Sequence, residues 1–371
     1  MSNEWQLCEL DDFGVLRLRG PDGVRFLQGQ VSNDVERLTP ERSQLAGYHN
    51  PQGRAIAVLR LVHLASDDLL AILPRELAPT VASRLGKFIL RAKVKIADES
   101  AAWRVTGLIA PHGVGTAAGN DGSAGAEPGV SSWAATQFEA ARARAETAGE
   151  QTFAAAQLED ADSLVELPTL SALMLPDAAN AQSLSDSTVI VRVGVKPPRW
   201  LILSPAGEKL PLSGCKPAER DAWRLLDVAD GMPQIYAATS EEFVAQMLNL
   251  DALGGISFEK GCYTGQEVIA RAHYRGRVKR RLQRFMSRGP ASLAIGESGQ
   301  LTDGRAFKVV EAARLANGRC EFLAVAPIVS GMSGADDAQA GPESAPGAAP
   351  APAPSSTLDA EPLPLPYALP E

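Results

Sequence analysis

Cys262 lies in the part of this sequence whose residue types and spacing best fit a chemical role. The segment around it runs Lys260-Gly261-Cys262-Tyr263-Thr264-Gly265-Gln266-Glu267. Thr264 and Glu267 have the spacing of a capping box, so we expect a helix to begin there, with Thr264 as its N-cap and Cys262 just ahead of it. The helix N-terminus and Lys260 would both favour the thiolate, which is the nucleophilic form of a cysteine.

Local chemistry leaves two interpretations of Cys262 equally open. In the first it is a functional thiol assisted by Lys260. In the second it is a small buried residue, and the glycines beside it serve a tight turn. The other cysteines, Cys8, Cys215 and Cys320, form no Cys-x-x-Cys pair and have no His at ligand spacing, so we expect no stably bound metal.

A run of basic residues follows the cysteine segment. Eight arginines and lysines lie between residues 271 and 288 with no acidic residue among them, in a chain whose net charge is -8. This density of positive charge predicts a surface for a polyanion, such as phosphate or the polyglutamate tail of a cofactor. The alternative is a solvated outer face of a strand. The residues assigned to the polyanion surface are Arg275, Arg277, Lys279, Arg280 and Arg281.

Trp223 is a further candidate because its flat ring could stack on a heterocycle. A lone tryptophan is more often part of a core, and its local sequence does not decide between the two roles. A Ser–His–Asp hydrolase site is not expected, since the four histidines lie in no nucleophile motif. Residues 113–119 are glycine-rich, but their spacing fits neither a dinucleotide fingerprint nor a phosphate loop, which favours an insertion.

The composition predicts a soluble protein with two or three domains. The chain has 371 residues, and 45% of them are hydrophobic, which is enough for sizeable cores. The negative net charge gives no general reason to expect a dedicated nucleic-acid-binding protein. The first 20 residues do not resemble a signal peptide, and no window is apolar enough to span a bilayer. We therefore expect a cytoplasmic protein with no membrane partner. Isolated thiols stay reduced in the cytoplasm.

Alternating strand and helix patterns predict the α+β class. The turn Asn50-Pro51-Gln52-Gly53 separates two β-patterns and predicts a hairpin. After about residue 275, short strands between turn signals predict a small barrel-like β domain. In the first part of the chain we expect strands at residues 44–49, 54–64, 69–73 and 93–97 and a helix at 79–90.

The segment from Leu253 to Glu267, which contains Cys262, closely resembles the signature of the YgfZ family, the folate-binding relatives of the glycine-cleavage T-protein. The resemblance implies a T-protein-like, multi-domain body around a central cavity, with a small C-terminal β-barrel domain. The expected cofactor is tetrahydrofolate or a derivative of it. Further parts of the resemblance lie at residues 26–31, 33–35, 270–272, 274–276 and 361–364.

The resemblance also implies a function. It is that of an accessory protein that supports the maintenance of iron–sulfur enzymes and the thiomodification of tRNA. The expected partners are folate, iron–sulfur enzymes including those that modify tRNA, and tRNA itself through weak contact. Two alternatives stay open: a folate-dependent one-carbon transferase or demethylase with a catalytic base unlike that of the T-protein, and a direct tRNA-binding module that uses the basic run.

Aminomethyl transfer, the activity of the T-protein, is not expected of this chain. Ala57 and Val58 stand where the T-protein pattern has acidic residues, and neither side chain can hold or relay a proton. Trp223, in contrast, matches the folate-contacting tryptophan of the family. Phe13 falls where the family can carry a second ligand-facing tryptophan, and it keeps a stacking ring without the indole N–H. The signature adds further residues assigned to the cofactor: Tyr263, Gln266, Glu267 and Arg271.

Pattern and resemblance together divide the chain into five parts. The last of them, a tail at 359–371, regains apolar and aromatic residues after a stretch of Pro, Ala, Gly and Ser. We therefore expect the tail to dock on the folded body. The parts are an N-terminal α+β folate-binding region (1–100), a second α+β region (101–275) with a Gly/Ala-rich insertion (113–129) and the Lys-Gly-Cys motif (260–267), a barrel-like β domain (276–332), a disordered linker (333–358) and the docking tail (359–371).

Overall fold

A computed structural model describes residues 4–111, 174–185, 187–210, 212–276, 278–328 and 357–370 of the chain. The Gly/Ala-rich insertion expected at 113–129, most of the linker expected at 333–358, and Arg277 lie outside these ranges. Within them, no helix is long and apolar enough to cross a membrane.

The described residues form strands, α-helices and short 3-10 helices. In chain order, the strands are β1 (Gln6–Glu9), β2 (Phe13–Arg19), β3 (Gln44–His49), β4 (Ala55–Ala65), β5 (Asp68–Pro74), β6 (Lys95–Asp98), β7 (Trp103–Ile109), β8 (Gln182–Ser185), β9 (Thr188–Val195), β10 (Pro198–Pro205), β11 (Lys216–Ala218), β12 (Arg280–Ser287), β13 (Ser298–Leu301), β14 (Ala306–Arg314), β15 (Cys320–Pro327), β16 (Thr357–Leu358) and β17 (Ala360–Leu363). The helices are α1 (Gly23–Gln28), α2 (Ala78–Gly86), α3 (Arg220–Ala229) and α4 (Gln266–Tyr274), with 3-10 turns at Val35–Arg37, Arg75–Leu77, Ala237–Thr239 and Ala245–Leu248.

The first sheet has the strand order β3-β4-β5-β2-β6, and all its strands pair antiparallel. The hairpin predicted at the Asn50 turn is confirmed, with β3 and β4 as its arms. Asn50 Oδ1 accepts a hydrogen bond from Arg54 N at 3.0 Å, and Gly53 has a φ of 72°, which favours glycine. Residues 55–62 of β4 are buried at every position, so this strand lies in the middle of the protein with both faces covered.

The second sheet has the order β11-β1-β7-β10-β9-β8. Its strand β1 pairs with β7 and β11, so residues 6–9 belong to this sheet. One hydrophobic cluster joins the two sheets. It contains Val15, Val62 and Ile72 from the first, and Val105 and Leu201 from the second.

The third sheet has the order β16-β13-β14-β15-β12-β17 and curls into a nearly closed barrel, as the sequence predicts. Its outer strands come from residues 357–363, since β17 pairs with β12 and β16 pairs with β13. Helix α3 packs on β14 and β15, which places it between the second sheet and the barrel. Beyond β17, Tyr367 reaches the end of α3, where its hydroxyl donates to Gly231 O at 2.8 Å and accepts from Asn249 Nδ2 at 3.3 Å.

We expect Tyr367→Phe to lower the free energy of unfolding by about 1 kcal/mol, because it leaves the carbonyl of Gly231 without its donor. Urea denaturation followed by tryptophan fluorescence measures the change. Tyr274→Phe is the matched control, since Tyr274 is exposed and its hydroxyl has no hydrogen bond to a described residue. The control should unfold within about 0.5 kcal/mol of the unchanged protein. Equal values for the two variants would contradict the role of Tyr367 in holding the tail.

Candidate functional site

Lys260 is buried, and its ammonium group lies against the backbone of the loop that follows α1. Nζ donates to the carbonyl oxygens of Gln28 at 2.6 Å, Val31 at 2.8 Å and Asn33 at 2.7 Å. Burial lowers the pKa of Lys260 to about 8, because the charged form loses hydration. An ammonium group has three N–H donors, and all of them are occupied here. Lys260 therefore has no N–H left to donate to Cys262.

Two neighbouring side chains tie the same loop to the segment before Lys260. Ser32 Oγ donates to Gly255 O at 2.6 Å and accepts from Gly47 N at 2.8 Å. Asn33 Nδ2 donates to Gly254 O at 2.8 Å. Two segments that carry the family resemblance, residues in 26–35 and 253–267, are thus joined into one structural unit although they lie far apart in the sequence.

Cys262 lies just before α4, as predicted, and it is exposed. The predicted cap of that helix is wrong. The N-cap is Gly265, with a φ of 83°, and no side chain, including that of Thr264, makes a cap hydrogen bond. The reason is a close approach to the hairpin turn. A Cβ on Gly265 would lie 2.6 Å from Asn50 O and 2.9 Å from Gly53 Cα, so only glycine fits where the two segments cross.

All four cysteines of the chain are described, and Cys262 is the only exposed one. Cys8 and Cys320 are buried, which raises the pKa of each thiol to about 11, and Cys215 is half-buried. The interpretation of Cys262 as a buried packing residue is therefore wrong. In the parts of the chain that the structure describes, no group of three or more His, Cys, Asp or Glu side chains could hold a metal ion.

The residues predicted to bind the cofactor fall into two groups. Phe13 and Trp223 belong to the hydrophobic cluster that joins the first two sheets. Tyr263 belongs to a different cluster and is buried near the start of α4. On α4 itself, Gln266 is half-buried, while the remaining two assigned residues, Glu267 and Arg271, are exposed. The residues assigned to the cofactor therefore do not belong to one cluster.

Trp223 is enclosed, with 1% of its surface exposed. The guanidinium carbon of Arg199 lies 4.8 Å from the centre of its ring, and Gly107 on β7 lies against the ring where any side chain would clash. Arg199 is in turn held by Asp227 at 2.6 Å and Asp230 at 2.7 Å. In this arrangement Trp223 is a packing residue, and a ligand would reach its ring only if a neighbour such as Arg199 moved.

A set of charged side chains lies beside Phe13, where α3 meets the barrel. The guanidinium of Arg220 lies 5.3 Å from the centre of the Phe13 ring and donates to both carboxylate oxygens of Asp12, at 2.7 and 2.6 Å. Arg224, one turn further along α3, lies 3.6 Å from Asp12 and 4.0 Å from Glu311 on β14. These contacts link the N-terminal segment, α3 and the barrel.

Glu311 completes this set, which we call the central network and which consists of Asp12, Arg220, Arg224, Tyr236 and Glu311. Tyr236 Oη donates to Glu311 Oε2 at 2.7 Å, and burial raises the pKa of Glu311 to about 7. Arg220 Nη1 and Arg224 Nε are buried without a hydrogen-bond partner. No signal in the sequence indicates this network, because its members are spread from residue 12 to residue 311 and share no motif.

The basic surface is smaller than the sequence predicts. Arg281 is 4% exposed and donates to both carboxylate oxygens of Asp251 at 2.9 Å, so it is not available to a polyanion. Arg284, which lies further along the same run, pairs with Glu321 at 2.6 Å. Their carboxylate partners lie outside the run, at positions that the charge pattern of 271–288 does not include.

The rest of the predicted polyanion surface differs in exposure from residue to residue. Arg280 is half-buried, and the loss of hydration lowers its pKa. Arg271, Arg275 and Lys279 are exposed, and none of them forms an ion pair with a described residue. Arg277 lies outside the described residues. The available charge is thus concentrated at the end of α4 and just beyond it.

Known proteins resemble the chain in sequence and in fold. The tRNA-modifying protein YgfZ of Pectobacterium carotovorum subsp. carotovorum is 32% identical over 327 residues, which cover 86% of this chain and 83% of that protein. The tRNA-modifying protein YgfZ of Pectobacterium atrosepticum is 31% identical over 321 residues, which cover 84% of this chain and 80% of that protein.

Among solved structures, the glycine cleavage system aminomethyltransferase T from Bartonella henselae matches with a TM-score of 0.55. The match covers 88% of this chain and 79% of that one at 12% identity, so the two proteins share a fold. No protein-family model matches the sequence.

We expect Lys260→Met to lower the free energy of unfolding by about 3 kcal/mol, because three carbonyls of the loop after α1 lose their donor. Chemical denaturation measures the loss. Lys279→Met is the matched control, since Lys279 is exposed and should change stability by no more than about 0.5 kcal/mol. A Lys260→Met protein as stable as the control would contradict the role of Lys260 in holding this loop.

Proposed function

The chain belongs to the YgfZ family of tRNA-modifying proteins, and from this premise we propose that it is a tetrahydrofolate-binding accessory protein. In this proposal it works in the cytoplasm and supports iron–sulfur enzymes, among them those that thiomodify tRNA. The proposal has two parts, a folate site and a thiol, and different residues carry them.

The central network supports a folate site beside Phe13. The pterin of tetrahydrofolate contains a flat pyrimidinone ring with N–H donors and a carbonyl acceptor on one edge, and the glutamate tail carries carboxylates. Glu311 would accept hydrogen bonds from the pterin edge, and Phe13 offers an aromatic ring for packing. The buried N–H groups of Arg220 and Arg224 would donate to the ligand's acceptors. These unpartnered donors are the observation that carries the folate site, because leaving them unpaired costs free energy that a bound ligand would offset.

Bound tetrahydrofolate supplies a carrier for one-carbon units. The chain's own residues do not favour aminomethyl transfer. Ala57 and Val58 are buried in β4 within an apolar cluster, so neither position can accept a proton during such a reaction. We therefore propose that folate is bound here without aminomethyl transfer.

Cys262 supports the second part of the proposal. It is an exposed thiol at the head of a helix, held next to a segment that Lys260 fixes in place. Arg271 and Arg275 lie exposed at the other end of α4. In this position the thiol would make transient contact with the cluster of a partner enzyme, with the thiolate as the ligand for iron.

We expect anaerobic titration calorimetry to show binding of tetrahydrofolate to the full chain, and Glu311→Gln to weaken that binding roughly tenfold. The reason is that, above the Glu311 pKa of about 7, a charge-assisted hydrogen bond becomes a neutral one. Glu267→Gln is the matched control, because Glu267 is an exposed carboxylate in the other group of predicted cofactor residues. Weakening by Glu267→Gln alone would move the folate to α4, and absence of binding to the unchanged protein would end the folate part of the proposal.

We expect Cys262→Ala to abolish the support of tRNA thiomodification in cells that lack the native protein. Mass spectrometry of tRNA nucleosides measures the thiomodified fraction. Cys215→Ala is the control, since Cys215 is a half-buried cysteine elsewhere in the chain and should restore the unchanged level. Full restoration by Cys262→Ala would rule out a thiol role and leave the folate site to be judged by calorimetry.

A further inference from the structure

An open cleft of about 640 Å³ lies between the loop that follows α1 and the end of α4. Its volume is in the range of roughly 300–1,000 Å³ that is usual for small-molecule sites. Its lining includes the side chains of Asn33, Gln44 and Asn180. In the described structure each of these amides keeps capacity for a further hydrogen bond, so the cleft is equipped to pair with a polar ligand edge.

Three aromatic side chains form one group at this cleft: Phe258, His273 and Tyr274. The rings of Phe258 and His273 are stacked, with centroids 3.7 Å apart and planes at 13°. Tyr274 meets both rings edge-on, at 6.1 and 4.7 Å, and is 67% exposed. Because an exposed aromatic ring in such a group offers its face to a flat ligand, this aromatic group is a stacking platform.

Exposed arginines lie at the cleft and near Tyr274 in the sequence. Arg42 lines the cleft, is exposed, and forms no ion pair with a described residue. Arg271 lies three residues before Tyr274 on α4 and therefore on the same side of the helix, and Arg275 follows it. The acidic lining is partly neutralised, since Arg37 pairs with Asp34 at 3.1 Å and with Glu259 at 3.3 Å. Unpaired guanidinium groups at a surface are suited to phosphate.

We propose that this cleft binds an unpaired nucleotide of a folded RNA. The base stacks on the aromatic group, the amides in the cleft pair with its edge, and Arg42, Arg271 and Arg275 hold the flanking phosphates. This combination of a ring, polar groups and cations is the one by which proteins recognise single-stranded RNA. A folate could also stack on the aromatic group. The unpaired arginines, however, extend beyond the cleft along α4, and this arrangement suits a polyanion longer than a folate. The inference rests on membership of a tRNA-modifying family and not on the folate site.

Fluorescence anisotropy of a labelled, short single-stranded RNA, titrated with the full chain, tests this site. We expect Tyr274→Ala to weaken binding roughly tenfold, the usual effect of losing one stacking ring. Arg42→Ala should weaken binding and reduce the slope of log affinity against log salt by about 1. The same RNA annealed to its complement should bind more weakly than the single strand, because its bases are not free to stack on the protein. Phe88→Ala is the matched control, since it removes an exposed aromatic ring that is not part of the cleft lining and should leave the affinity unchanged.

Equal affinity of Tyr274→Ala and the unchanged protein for the single strand would overturn the proposal, and so would tighter binding of the duplex. Tetrahydrofolate binding is measured on the same variants. If Tyr274→Ala weakens tetrahydrofolate and not RNA, the cleft is a folate site and the proposal fails. If RNA binding falls while tetrahydrofolate binding is unchanged, the proposal is supported. We expect Glu311→Gln to bind RNA as tightly as the unchanged protein. This result would show that RNA binding does not depend on the proposed folate site in the central network.

Discussion

The ammonium group of Lys260, with three backbone carbonyls as its acceptors, is the interaction on which the rest of the site depends. A buried charge is tolerated only where its hydrogen bonds are satisfied, so Lys260 requires residues 28–33 to hold one particular shape. In that shape Ser32 and Asn33 reach Gly255 and Gly254. The two walls of the cleft are therefore fixed by the same contacts that bury the lysine, and Cys262 comes to the surface two residues later.

Helix α4 extends this constraint from the thiol to the aromatic group. Its first turn lies on the hairpin turn at Asn50, with room only for a glycine at position 265, and its last residue is Tyr274. The direction of the helix therefore sets both the position of Cys262 and that of the stacking platform. Among the described residues, none of the contacts that hold this unit uses the sulfur atom of Cys262. The signature segment is thus a folding element in which Lys260 and Gly265 make the fixing contacts, and it carries an exposed thiol.

The sequence predicts those features whose causes are local. The hairpin at Asn50 follows from its turn residues, and the strands of the barrel follow from short β-patterns between turns. The predicted cap of α4 is wrong because the choice of Gly265 depends on a tertiary contact that Thr264 and Glu267 do not reveal. The charge pattern places Arg281 on a surface because its partner Asp251 lies outside the basic run. The central network is not predictable from the sequence, since its members meet only when three separate parts of the chain are folded together.

The central network and the cleft lie at different helices, yet a continuous series of buried and partly buried hydrogen bonds connects the end of α3 with α4. Tyr367 stands in this series, so the tail both closes the barrel sheet and joins the end of α3 to the turn at Ala245–Leu248. A ligand that shifts α3 acts on α4 only if this series has two arrangements. The two proposed sites therefore lie on helices that this series links. The series runs from Gly231 O through Tyr367, Asn249, Arg281 and Gln246 to Ile269 O.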